Sequence, residues 1–68
     1  GNKVHLSENE REFIKWATTD LTYLQIADKM NLSVKTIDGY REALFKKLGV
    51  KTRVALALYA VKHGLVEL

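Results

Sequence analysis

Apolar residues recur at helical spacing in four separate stretches of this chain, and polar turn-forming residues punctuate them. In the first stretch Phe13, Ile14 and Ala17 line one helical face behind Ser7-Glu8-Asn9-Glu10. That opening is a capping box, in which the Ser7 hydroxyl takes an orphan backbone N–H and Glu10 reaches back. Glu8, Glu10 and Glu12 lie near the positive end of the helix dipole, where acids are favoured. The pattern predicts a helix over about 8–18. Thr22 with Gln25 repeats the capping signal, and Ile26, Ala27 and Met30 form the apolar face of a short helix over about 23–30. Asn31-Leu32-Ser33 makes the connection, with Ser33 placed as an N-cap. Ile37, Tyr40, Leu44 and Leu48 then share one face of a helix over about 34–48, which Gly49 ends. Thr52 caps a last helix over about 53–63, with Leu56, Ala57, Ala60 and Val61 as its core side. Gly64 ends that helix, and Leu65 and Val66 pack after it.

Four helices with no strand signal make an all-α bundle. Its central pair, two short helices joined by a three-residue turn, has the form of a helix-turn-helix, whose second helix enters the major groove of duplex DNA. Ala27 sits where two crossing helices need close approach.

Charge distribution agrees with this plan. The net charge is +3, but the positive excess is confined to one stretch. Between residues 34 and 53 stand Lys35, Arg41, Lys46, Lys47, Lys51 and Arg53 against Asp38 and Glu42, while the flanking segments are near neutral. A basic stretch beginning on the second helix of the motif is the electrostatic footprint of a phosphate-binding element. On that helix Lys35, Asp38, Gly39, Glu42 and Lys46 lie opposite the Ile37/Leu44/Leu48 stripe, with Arg41 and Phe45 at the edges. A mid-helix glycine costs roughly 1 kcal/mol relative to alanine, so close approach of a duplex at Gly39 is one candidate compensation and simple tolerance is the other. Two readings stay open for the acids. They accept from cytosine N4 on a base edge, or they pair along the helix, Asp38 with Lys35 or Arg41 and Glu42 with Lys46.

Length and composition narrow the alternatives. With 68 residues and no proline or linker, the chain is one domain over residues 1–68. It has no cysteine, and its histidines, His5 and His63, are far apart, so neither a disulfide nor a structural metal is expected, and no cofactor. The longest apolar run, residues 54–61, is eight residues, against the roughly 20 that a membrane-spanning helix needs. No signal peptide pattern opens the chain, which suits the cytoplasm. No Ser/His/Asp or Cys/His set and no phosphate-cradling glycine loop points to an enzyme. The chain opens on Gly1, not methionine, and is expected to be the C-terminal part of a longer regulator.

The chain resembles the LuxR/FixJ-type helix-turn-helix domain, the effector half of many bacterial response regulators. The resemblance rests on Leu6-Ser7 with Glu10-Arg11-Glu12, on Ile26-Ala27, on Leu32-Ser33 with Thr36-Ile37, on Lys47-Leu48-Gly49-Val50 with Arg53, and on Gly64-Leu65. It implies that the third helix is the recognition helix, with Asp38, Gly39 and Glu42 facing bases and Lys35 and Arg41 beside them. It implies backbone-facing positions at Thr22, Tyr23, Thr36, Lys47 and Lys51, the Tyr23 hydroxyl lying within reach of a phosphate. It also implies a dimer surface on the fourth helix at Val54, Leu58, Tyr59 and Lys62, hence a homodimer on a pseudo-palindromic site with half-sites about one turn apart. A receiver domain in the full-length chain is a further partner it suggests. The chain departs from the family pattern at Asp20, Leu24, Asp38 and Tyr40, where glycine, lysine, lysine and histidine are usual. Independently, the fourth helix is apolar nearly all round, and an exposed apolar patch marks an interface, either with a second copy or with an N-terminal domain of the longer chain. The competing function is a protein-interaction module that docks RNA polymerase or a regulator through that helix.

Overall fold

Every helix starts on a residue whose side-chain oxygen takes a backbone N–H three positions on. The computed structural model describes residues 5–67, so Gly1 and its neighbours through Val4, and Leu68, lie outside the described residues. Helices α1 (Glu8–Ala17), α2 (Tyr23–Met30), α3 (Val34–Leu48) and α4 (Arg53–Lys62) follow in order, and no strand occurs among the described residues. Ser7, Thr22, Ser33 and Thr52 are the N-caps, and their hydroxyls accept from Glu10, Gln25, Thr36 and Ala55 at 3.0–3.1 Å. Such a cap is worth about 1 kcal/mol. The first two are full capping boxes, because Glu10 Oε1 and Gln25 Oε1 each accept from the N-cap backbone at 2.9 Å. Helices α1 and α4 are each one residue shorter than the periodicity predicts. Thr18 and His63 have left helical geometry and act as C-caps.

The turn between α2 and α3 is made by Asn31 in the left-handed conformation (φ 58°), which lets Leu32 N–H reach back to the Ala27 carbonyl at 2.9 Å. Asparagine tolerates this region better than most side chains. Gly49 (φ 69°) does the same for α3, with Val50 N–H on the Phe45 carbonyl at 3.0 Å.

Helix α1 packs on each of the other three, α2 packs on α3, and α3 on α4. The enclosed core is Leu6, Phe13, Ile14, Ala17, Ile26, Ala27, Ile37, Leu44, Leu48, Leu56 and Ala60. Met30, Leu32, Tyr40, Val50, Leu65 and Val66 close its margins. Two expected core residues of α4 are not in it: Ala57 is half-buried and Val61 is 40% exposed. Leu56 and Ala60, four residues apart, take the stripe of α4 that faces α1 and α3, and Val61 follows about 100° further round the helix.

Three long-range polar contacts lock the bundle. Lys47 Nζ donates to both carboxylate oxygens of Glu10 at 3.0 Å and to the His5 carbonyl at 3.2 Å, tying α3 to the start of α1. Arg53 donates through Nε to the Ala17 carbonyl at 3.0 Å and through Nη2 to the Thr19 carbonyl at 2.8 Å, so the first turn of α4 caps the end of α1. Asn9 Nδ2 donates to the Tyr40 hydroxyl at 2.9 Å, linking α1 to α3.

Candidate nucleic-acid interface

Because Ile37, Leu44 and Leu48 are buried, the opposite face of α3 must look outward. That face carries Lys35, Asp38, Gly39, Glu42 and Lys46, all exposed. The structure therefore brings together the residues expected to face bases. Gly39 lies mid-face, and a Cβ built there meets nothing within 4 Å. No intramolecular packing requires glycine at this position.

The two acids are not equivalent. Asp38 Oδ1 accepts from Arg41 Nε at 3.0 Å, which is one of the two intrahelical pairings open to it in the sequence. Glu42 does not pair with Lys46. Its nearest cation is Arg41, whose Nη2 lies 4.0 Å away. Arg41 is thus held on several sides: Asp38 one turn before, Glu42 next to it, and the Phe45 ring 5.6 Å away. Its side chain is only 29% exposed.

The flanking positions divide in the same way. Lys35, Lys46 and Lys51 are exposed at the ends of the face, the last just beyond Gly49. Thr22 and Thr36 lie at the first turns of α2 and α3, Thr22 as the α2 N-cap and the Thr36 hydroxyl 2.9 Å from Ser33 Oγ. The first backbone N–H groups of a helix have no partner within it, apart from those the caps take. Tyr23 is half-buried. Its ring stacks on Phe13 at 6.2 Å between centroids and lies under the Arg53 guanidinium at 5.0 Å. Lys47 spends its three N–H donors on Glu10 and His5, so it acts first as a strut. The Glu10 carboxyl is held below its ordinary value of 4.5, chiefly by the Ser7 backbone N–H and then by Lys47, against the opposing effect of burial.

Sequence reasoning missed the parts played by Lys47 and Arg53. A signal for the first exists: Glu10 continues the Phe13/Ile14/Ala17 stripe inward, and a buried acid needs a partner. Arg53 bonds carbonyls 34 and 36 residues away in the chain, and no local pattern announces that.

A second surface lies on α4. Val54 (70% exposed), Leu58 (66%) and Val61 form one stripe at helical spacing, with Lys62 exposed beside it. Tyr59 stands apart from that stripe, half-buried against the core with its ring 4.2 Å from His63. The outward apolar stripe therefore contains Val61 in place of Tyr59. Among the described residues no three His, Asp or Glu side chains converge as a metal site would require. No helix there is long and apolar enough to cross a membrane.

Comparison with known proteins gives the same outline. The family described as "Bacterial regulatory proteins, luxR family" (GerE) matches residues 4–60. The chain is 40% identical over 62 residues to the response regulator GacA of Pseudomonas aeruginosa, covering 91% of this chain and 29% of that protein. It is 50% identical over 42 residues to GacA of Pseudomonas syringae pv. syringae, covering 62% and 20%. It is 37% identical over 60 residues to the response regulator UvrY of Escherichia coli K12, covering 88% and 28%. The chain thus spans less than a third of the length of these curated relatives.

Proposed function

Because the chain belongs to the luxR family of bacterial regulatory proteins, whose helix-turn-helix makes it a DNA-binding domain of a transcription regulator, we propose that it is the output domain of a two-component response regulator that reads specific duplex sites. Residues 1–68 act as one domain of a longer cytoplasmic chain that carries a receiver domain, and the domain itself performs no covalent chemistry. Helix α3 lies in the major groove. Lys35, Lys46 and Lys51 neutralise phosphates, and the starts of α2 and α3, with Thr22, Tyr23 and Thr36, fix the register on the backbone. Arg41 and the base-facing Asp38, Gly39 and Glu42 supply sequence choice. The observation that carries this reading is the division of α3 into a fully buried stripe and a polar, unobstructed one flanked by free lysines.

On this reading the apolar stripe Val54/Leu58/Val61 with Lys62 pairs two copies on a pseudo-palindromic site. RNA polymerase is the alternative occupant of that stripe. Two measurements test the proposal. Titrating duplex DNA at low ionic strength should shift the amides of residues 34–48. The logarithm of the binding constant should fall linearly with the logarithm of salt, with a slope near −0.9 per phosphate neutralised. An adaptor that binds only protein shows neither effect, and that result sinks the proposal.

A further inference from the structure

We propose that Glu42 is a specificity-determining residue that accepts a hydrogen bond from the exocyclic amino group of cytosine in the major groove, Gly39 leaving the room for that base edge. This rests on the reading that α3 lies in the groove. In the sequence Asp38 and Glu42 are two acids on one face with interchangeable prospects. In the structure Asp38 is engaged by Arg41 at 3.0 Å, whereas Glu42 is 75% exposed and lies 4.0 Å from that guanidinium, with Lys46 making no ion pair to it. Glu42, with only the 4.0 Å contact to that guanidinium and the greater exposure, is therefore the more available acceptor of the face. One turn before it stands Gly39, whose missing side chain leaves open space beyond 4 Å. Glu42 borders a shallow depression lined by Gly39, Ala43, Phe45 and Lys46.

The chemistry of a carboxylate restricts what can fill that space. An ionised carboxylate only accepts hydrogen bonds. Guanine presents O6 and N7, both acceptors, and repels it. Thymine presents O4 and a methyl group. Adenine offers its N6 donor beside the N7 acceptor, while cytosine offers N4 with no neighbouring acceptor on that edge. Cytosine is the base that satisfies Glu42 without an opposing charge. The cost of bringing an anion toward DNA falls on a residue flanked by Arg41 and Lys46, and it penalises every site that lacks the donor. Asp38, by contrast, is hydrogen-bonded to Arg41 and bears on sequence choice through that guanidinium.

Selection of bound duplexes from a randomised pool, with the wild-type chain, Glu42→Ala and Glu42→Gln, tests the assignment. Glu42 is exposed, so both variants keep the fold, and a thermal melt checks this. The wild type should show one position per half-site at which cytosine is preferred by about fivefold to over a hundredfold. Glu42→Ala should abolish that preference. Glu42→Gln should move it to adenine, which glutamine recognises through N6 and N7. Amide shifts are followed on the same duplexes. If residues 34–48 shift but the cytosine preference survives in Glu42→Ala, the assignment is wrong and the groove reading stands. If those amides do not shift for any duplex, both are wrong.

Discussion

Replacing Gly39 with alanine should make the domain more stable and a poorer DNA binder, and the opposite signs are what make the experiment informative. Gly39 is exposed in the interior of the fifteen-residue α3, its φ is not positive, and a Cβ there meets nothing within 4 Å. The folded state therefore takes the methyl group without strain. Alanine in an exposed helix interior is favoured over glycine by about 1 kcal/mol, largely because the unfolded chain loses freedom. For a domain of this size that raises the melting temperature by about 4–8 °C. If a duplex packs against the bare backbone at this point, the same methyl group must push it away. Overpacking of a close contact costs about 1–3 kcal/mol, which is about a fivefold to a hundredfold loss in Kd. Circular dichroism melts give the first number, and fluorescence anisotropy with a bound duplex at fixed salt gives the second. A melting temperature that falls would mean that α3 is not free at this position. A raised melting temperature with unchanged Kd would mean that nothing approaches Gly39 and that the glycine is merely tolerated.

Further outcomes follow from the contacts. Lys47→Ala removes the strut between α3 and α1 and leaves Glu10, which is 8% exposed, without its cation; chemical denaturation should show a loss of about 1–3 kcal/mol. The Glu10 carboxyl is held below its ordinary 4.5, so it binds fewer protons folded than unfolded near that value. Its stabilising contribution is complete above pH 4.5 and is lost as pH falls through the lower folded value. Glu10→Gln should flatten the dependence of stability on pH in that acid range, and unchanged pH dependence would remove Glu10 as its source. Lys51→Ala and Lys35→Ala should weaken binding about equally on all sequences and lower the salt slope by about 1 each; a change in sequence preference would place them on bases instead. Leu58→Glu, at a side chain 66% exposed, should leave the domain's stability within about 0.5 kcal/mol while preventing two copies from co-occupying a two-half-site duplex in sedimentation. Retained co-occupancy would move the dimer contact off α4.

What the amino-acid order settled by itself is local. Ser7, Thr22, Ser33 and Thr52 start helices because their oxygens lie three residues from the N–H groups they satisfy, and Gly49 stops one because of its own backbone freedom. The Ile37/Leu44/Leu48 stripe declares its buried side, and the opposite face of α3 follows by geometry. The family resemblance drew on some of these positions, among them Ser7, Ser33, Ile37, Leu48 and Gly49. Through-space partners were not legible. Six cations between residues 34 and 53 look alike in the sequence, yet Lys47 and Arg53 are consumed by atoms 34 to 42 residues away, and Arg41 is held back by its neighbours. Asp38 and Glu42 also look alike in the sequence, and only the structure sets the first 3.0 Å from Arg41 Nε and the second 4.0 Å from its Nη2. On α4, Val61 and Tyr59 both fit an apolar helix face, and the packing of α1 and α3 decides that Tyr59 is half-covered and Val61 is out. Periodicity sets the angle of a side chain about its helix axis. Which neighbour covers that angle, and hence which charge is left free, depends on how the helices cross.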